Sequence, residues 1–371
     1  MSPPNTEPAP ALKVRQLNSL QYLRAIAAMM IVFTHGWDQL PWLKDRMPDI
    51  TQSGVDLFFV ISGFIMVYVT AKPGSSALHF FKLRIIRIVP LYWLYTFATA
   101  GLILILPQLF KTSVFTVPHF IQSLLFIPHW SPSGSLSPLI LLGWTLNYEM
   151  FFYAMFAIAM VASTTRRVPI TVAMLLVLPL VGLFVSFEGN AAGEFYSNDI
   201  ILEFVFGMML AQAFLKGAVD RVGVIGGGIL IAAGAIGLCI GGYHLESPRA
   251  LIFGVPAALI VAGALSIEAS RYVPKMQPFL LLGDASYSIY LAHLFPIALL
   301  RFGWGRLMLP TDGLGPVLTF LAIALLGGAL AGVASYLLLE RPMLERIRQP
   351  QSRRLPNVIA ARATAGSNIA P

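Results

Sequence analysis

Charge is what this sequence has least of. Only 11% of its 371 residues are Asp, Glu, Lys or Arg, while 57% are hydrophobic. A soluble domain carries roughly 25% charged residues. Length alone would allow roughly two or three soluble domains; the composition excludes them and marks a polytopic membrane protein. Cysteine is almost missing. Cys239 stands alone inside an apolar run, which excludes a disulfide framework and a cysteine metal site and predicts a buried structural thiol. There is no G-x-x-x-x-G-K, no H-E-x-x-H and no Cys/His cluster with metal spacing, so ATP hydrolysis and zinc chemistry lack support and no metal site is expected. No loop is long enough for a separate domain. No basic–aromatic patch suggests a nucleic-acid partner.

What is present is a series of apolar runs. A hydrocarbon core of ~30 Å needs about 20 apolar residues per helix. Candidates fall at 19–38, 53–71, 88–107, 138–162, 168–187, 196–215, 222–242, 249–268, 279–300 and 315–339. Residues 117–128 are too short to cross and read as interfacial or re-entrant. The first span is followed by GWDQLPW rather than a small-x-small site, so it is expected to remain uncleaved. The predicted fold class is all-α, with about ten transmembrane helices.

Ten spans put both termini on one side. With cytoplasmic termini, 19 Lys and Arg fall inside and 6 outside, as the positive-inside rule requires. The net charge of +8 is then mostly a topology signal. Three regions follow: a Pro-rich disordered tail over 1–18, a membrane domain over 19–342, and a basic cytoplasmic tail over 343–371 that faces anionic lipid. Within the Gly-rich run 222–242, Gly223 and Gly227 form a G-x-x-x-G suited to close helix packing. Gly54 and Gly63 suit the same use.

Ionisable groups inside spans mark function or a paired contact. Arg24 and His35 are eleven residues apart. Roughly 1100° of helical rotation places them on one face, about 16 Å apart along the axis. Each also has a plainer reading, Arg24 as a snorkelling interfacial cation and His35 as a helix-end histidine. Asp56 opens span two, either as a helix-end carboxylate or as an orienter of a nearby imidazole. Arg84 and Arg87, three apart beside Lys82, anchor the inner mouth of span three or hold an anion. Pro90 suits that span's first turn. Glu149, among Met150, Phe151 and Phe152, needs a partner or a raised pKa; Asn147 beside it reads as structural. Span nine is unusually polar, with Asp284, Ser286, Tyr287, Ser288, Tyr290 and His293, and suits a cavity wall. Glu203 and the pair Glu340–Arg341 read as structural, the latter as an inner-surface anchor.

The pattern is directional. Arg24, Arg84 and Arg87 gather at the inner mouth; His35, Asp56 and Glu149 gather in the outer half. It suits a cytoplasmic phosphate-bearing donor whose reactive end reaches an external acceptor. It also suits a transporter or flippase for a sugar or acyl carrier, with an anion vestibule.

LQYLRAIAAMMIVFTH, GVDLFFVISGFIM, FFKLRIIRIVPLYWLY, WTLNYEMFFY, ASYSIYLAHLF and the closing ERP occur in one order over about residues 16–345. In these the chain resembles the membrane acyltransferase-3 family, close to its exopolysaccharide O-acetyltransferase members. The resemblance implies transfer of an acyl group, commonly acetyl from acetyl-CoA, to a hydroxyl on a polysaccharide or lipid-linked glycan at the bacterial inner membrane. No bound cofactor is implied; acetyl-CoA or another acyl-CoA is a co-substrate, and polysaccharide-assembly proteins are candidate partners. The family's basic-x10-His motif falls on Arg24 and His35, its paired arginines on Arg84 and Arg87. Its Trp-Ser-Leu…Glu motif falls on Trp144 and Glu149, with Thr145 in place of the serine. On this basis His35, Glu149 and Asp56 are the expected catalytic residues and Arg24, Arg84 and Arg87 the donor-binding ones. Trp144, Ser286, Tyr290 and His293 are expected to line the cavity.

Overall fold

The computed structural model describes residues 16–40, 49–72, 74–106, 114–242, 248–270 and 273–348. Most of both expected tails lies outside the described residues. Within them there is no strand. Fifteen α-helices follow one another: α1 (Asn18–Trp37), α2 (Gly54–Thr70), α3 (Ala77–Ile105), α4 (Val117–Leu124), α5 (Gly143–Ala162), α6 (Arg167–Gly182), α7 (Ala191–Tyr196), α8 (Leu202–Leu215), α9 (Gly223–Gly241), α10 (Val255–Ala269), α11 (Gln277–Asp284), α12 (Ser286–Ala292), α13 (Leu294–Arg306), α14 (Leu314–Ser335) and α15 (Arg341–Arg348). Among the described residues five continuous helical stretches are long and apolar enough to cross a membrane, with a sixth if the pair bent by 58° between Asp284 and Ser286 is one span. The chain is a multi-pass membrane protein. α1, α2, α6 and α8 stand where the remaining spans were expected; α2 and α6 are apolar but have 17 and 16 residues. Phe184, Ile225, Leu299 and Leu338 point away from the protein, as side chains facing hydrocarbon do, while the helices satisfy their own backbone groups.

α1 sits at the centre of one half, against α2, α11 and α14; α2 packs on α8, and α9 on α10. The α2–α8 contact is backbone on backbone. A Cβ on Gly63 would stand 2.1 Å from the Phe204 carbonyl oxygen, and one on Gly207 would stand 2.0 Å from that of Val60. Any side chain there forces the helices apart. Gly63→Ala is expected to destabilise the protein by about 1–3 kcal/mol, the usual effect of overpacking, read as a lower unfolding midpoint in detergent.

Several sequence expectations are corrected. In α9 the close-packing glycines are Gly227, Gly234 and Gly241, whose added Cβ atoms would meet α10 and the turn before it at 2.5–2.7 Å from carbonyl oxygens; Gly223 meets nothing and has φ +68°. A spacing of seven, not four, keeps one face toward a neighbour. Cys239 is exposed, not buried; it lies on the other face of that helix. Span three begins at Ala77, eleven residues earlier than expected, because Ser76 caps it by accepting from the His79 amide. Pro90 therefore lies inside the helix, where it removes the bond to the Ile86 carbonyl. Span nine is broken into α11, α12 and α13. Such breaks are tolerated at membrane depth where they are buried or line a cavity, and α12 does the latter.

Candidate active site

α1, α2, α3, α5 and α12 enclose a cavity of about 190 Å³. Arg24 enters from α1, Ser62 from α2, Arg84 and Arg87 from α3, Glu149 and Tyr153 from α5. Ser286, Tyr287 and Tyr290 of α12 close it, and Phe58, Phe59 and Leu146 form part of an apolar wall. The early start of α3 explains the placing of its arginines. Arg84 and Arg87 lie seven and ten residues inside the helix, about 10 and 15 Å from its end at ~1.5 Å per residue. Glu149, expected beside His35, instead shares the cavity with the arginines.

The polar groups in the cavity fall into two sets. Tyr153 donates its hydroxyl to Glu149 Oε1, and Ser62 Oγ donates to the same oxygen at 3.1 Å. Ser62 and Tyr153 also meet at 3.2 Å. Both carboxylate bonds fall on Oε1, so Oε2 is the oxygen left for a ligand. On the other side, Arg87 pairs with Glu340, which also accepts from Ser288 Oγ at 2.5 Å. Glu340 is buried at 2% exposure and ends a π-helical turn, Tyr336–Glu340. Expected beside Arg341 at the surface, it lies inside the protein, and Arg341 pairs with Glu345. Two buried atoms of the cavity residues have no partner: Arg84 Nε and Ser286 Oγ. Tyr290 joins Thr145 at 2.7 Å and the Leu142 carbonyl at 2.8 Å.

His35, Asp56, Trp144 and His293 lie outside this cavity. His35 is about three turns along α1 from Arg24. Its Nδ1 is 3.8 Å from Asp38 Oδ2, and its ring stacks on that of His293 at 5.3 Å between centroids. His293 is fully buried; its Nδ1 donates to the Ile289 carbonyl at 3.0 Å, and Nε2 has no partner. Asp56 bonds Arg249, not His35. The guanidinium reaches it through Nε at 3.0 Å and Nη2 at 2.8 Å, the two-pronged fit a carboxylate makes with arginine. Trp144 sets its ring edge-on to Tyr148.

Tyr153, Ser62, Arg249 and the inward aim of Glu340 escaped the sequence reading. Tyr153 was accessible: it is four residues from Glu149, on the same helix face. The histidines of the segment between α3 and α5 also pair. His129 Nδ1 donates to the Ile127 carbonyl, so its Nε2 accepts from His119 Nδ1 at 2.6 Å. Burial, with the His129 ring beside it, pushes His119 down to about 4. Among the described residues no three His, Cys, Asp or Glu side chains gather to hold a metal.

A multi-pass helical bundle with a charged internal cavity defines a class of membrane protein, and comparison with known sequences narrows it. The chain belongs to the membrane acyltransferase-3 family: the family's profile, described as an acyltransferase domain, matches residues 17–339. It is an acyltransferase, moving groups other than aminoacyl groups. It is 40% identical over 321 residues to the exopolysaccharide production protein ExoZ of Rhizobium meliloti, covering 85% of this chain and 95% of that one. Acyltransferase MdmB of Streptomyces mycarofaciens is 25% identical over 366 residues, 86% of this chain and 90% of its own. O-acetyltransferase OatA of Staphylococcus aureus is 24% identical over 377 residues, 90% of this chain and 58% of its own. No solved structure matches.

Proposed function

We propose that the chain is an O-acyltransferase of the bacterial cytoplasmic membrane. It takes an acetyl group from acetyl-CoA and passes it to a hydroxyl of an exported polysaccharide or its lipid-linked glycan precursor. The observation that carries this reading is the convergence of three guanidiniums and one carboxylate on a cavity inside an acyltransferase domain. The name of the exopolysaccharide relative supports the acceptor class. In this proposal ten segments cross the membrane: α1, α2, α3, α5, α6, α8, α9, α10, α11–α13 and α14. Both termini face the cytoplasm, as the Lys and Arg bias favours.

Arg24, Arg84 and Arg87 supply the positive field that draws the donor's phosphates. The cavity is smaller than the roughly 300–1,000 Å³ of sites for drug-sized molecules. It suits the narrow thiol-ended arm and leaves the nucleotide at its mouth. The arm extends along α1 toward His35. There the imidazole takes the proton of the acceptor hydroxyl, the oxygen attacks the thioester carbonyl, and the C–S bond breaks. The thiolate takes up a proton and leaves as CoA. An acyl-histidine route uses the same ring as nucleophile. Glu149 Oε2 accepts from an amide N–H of the donor's arm and so holds the arm on its way to His35. His293 supports the His35 ring from behind. Asp56, bound by Arg249, acts through the packing of α2. A separate polysaccharide-assembly protein brings the acceptor.

The test uses membranes containing the protein and acetyl-CoA labelled in its acetyl group. Free CoA is followed with and without a bacterial polysaccharide extract. Acceptor-dependent CoA release, with label recovered in the polysaccharide, is the expected result. Absence of turnover with several acceptors and acyl donors, together with uptake of a sugar or acyl carrier into vesicles, moves the assignment to transport.

A further inference from the structure

The carboxylates expected beside His35 are engaged elsewhere. Glu149 accepts from Tyr153 and Ser62 in the cavity, and both oxygens of Asp56 are held by Arg249. The imidazole still has a carboxylate near it. Asp38, one turn further along α1, sets Oδ2 3.8 Å from His35 Nδ1, and its side chain is 46% exposed.

The place of the two residues on α1 decides what each one favours. His35 stands in the last turn, and Asp38 is the C-cap residue, its amide donating to the Thr34 and Gly36 carbonyls. A helix C-terminus carries partial negative charge, which favours a cation there and disfavours a carboxylate. Asp38 therefore gains nothing from the helix dipole. A protonated His35 gains from both the last carbonyls and Asp38. At 3.8 Å the neutral ring is beyond hydrogen-bond range, while the protonated ring is within ion-pair reach of the carboxylate. Catalytic contacts are often long before substrate binds and tighten in the complex.

The other titratable groups on the helices packed against α1 are directed elsewhere. His293 stacks on the His35 ring, but its Nδ1 is committed to the Ile289 carbonyl. Glu268 of α10 and Asp284 of α11 belong to the start of α1, where Glu268 accepts from the Ser19 amide at 2.8 Å and Asp284 faces Arg24. Tyr68 lies near the far end of α2. Tyr287 and Tyr290 of α12 donate to the Ile88 and Leu142 carbonyls. Arg301 and Arg306 stand about two turns or more along α13 from its start. α14 carries no titratable residue.

We infer that Asp38 is the positioning residue of His35: it holds Nδ1, steadies the imidazolium and leaves Nε2 for the acceptor hydroxyl. This rests on the reading of His35 as the base and deepens it. The hydroxyl proton passes to Nε2 as the oxygen attacks the thioester carbonyl. The C–S bond breaks, and the same proton leaves Nε2 for the thiolate. Asp38 stays a carboxylate throughout, as the carboxylate of a hydrolase triad does.

The experiment follows transfer of label from acetyl-CoA to the bacterial polysaccharide extract, in membranes containing the protein, across about pH 4–8, the span over which histidines titrate in folded proteins. Asp38→Asn is expected to lower turnover about tenfold, short of the loss expected for His35→Ala. It is also expected to move the acid limb of the profile to lower pH by about half a unit, the scale of a partly exposed charge pair. The sign follows from the charge: without the carboxylate the imidazolium is less stable and loses its proton more readily. Binding of acetyl-CoA stays within about twofold of wild type, and Asp38→Glu restores most of the turnover and the position of the limb. In the His35→Ala background Asp38→Asn causes no further loss, because the two act through one ring. An unchanged acid limb in Asp38→Asn, with or without a loss of turnover, overturns the inference. So does a loss repeated in full in the His35→Ala background, which leaves Asp38 a helix-end residue. Turnover that survives His35→Ala removes the base itself, a result separate from these.

Discussion

Arg249→Met is expected to lower the unfolding midpoint in detergent more than any single change in the cavity. Asp56 is fully buried, and Arg249 occupies both of its oxygens. Glu203 is fully buried too, and neither of its oxygens has a hydrogen-bond partner. Its side chain packs over Gly254, where an added Cβ would stand 2.8 Å from its Cγ. Removing the guanidinium leaves Asp56 as a buried, uncompensated charge. Breaking a buried ion pair from one side typically destabilises by about 3–5 kcal/mol, a large part of the ~5–15 kcal/mol that holds a domain folded. Asp56→Asn/Arg249→Met, which leaves no unpaired charge, should recover much of the loss, as apolar or neutral replacements of buried pairs often do. A double variant no more stable than Arg249→Met would show that the pair is not the source of the effect. Glu203→Gln should be mild beside either.

The same pair shows where sequence reading stops. Asp56 was visible as a carboxylate at the head of an apolar run. Its partner is 193 residues away, and nothing local connects them. A histidine at the end of the preceding helix was the nearer candidate, and only the packing of α2 beside the turn before α10 decides for Arg249. Glu340 repeats the case: Arg87 is 253 residues distant, and the π-helical turn that aims the carboxylate inward leaves no mark in the motif ERP. The start of span three was the other loss. Pro90 reads as a first-turn residue. The Ser76 cap starts the helix earlier, so that Arg84 and Arg87 lie within it and line the cavity that Glu149 also lines. The breaks in span nine were only partly marked: Pro296, which cannot bond the Ala292 carbonyl, follows the second break by three residues, while no proline marks the first at Ala285. What could be read were the individual intramembrane charges, because each needs a reason to be there. Which of them meet is a property of the folded bundle.

Glu149→Gln and His35→Ala are expected to reduce turnover by about 10²–10⁴-fold each, the range of a positioned acid–base group, with folding intact. For Glu149 the fold is safe for a stated reason. Gln keeps an oxygen that accepts from Tyr153 and Ser62, so only the negative charge is lost. A structural carboxylate would tolerate that change, and near-normal turnover in Glu149→Gln would assign Glu149 to packing. Tyr153→Phe removes one of the two bonds to Oε1 and should cost far less turnover than the loss of charge. For His35 the surroundings are lenient, since it is bonded only loosely to Asp38 and rests on the His293 ring. The two variants test different parts of one path. If Glu149 holds the donor arm and His35 activates the acceptor, His35→Ala leaves acetyl-CoA binding unchanged while Glu149→Gln weakens it. Because the two residues act in separate parts of the path, the double variant should lose nearly the product of the two single losses. A double variant little worse than the poorer single one would join the two residues in one unit. Turnover that survives His35→Ala would keep the enzyme and remove its proposed base, leaving the buried, unpartnered Nε2 of His293 as the next nitrogen able to accept a proton.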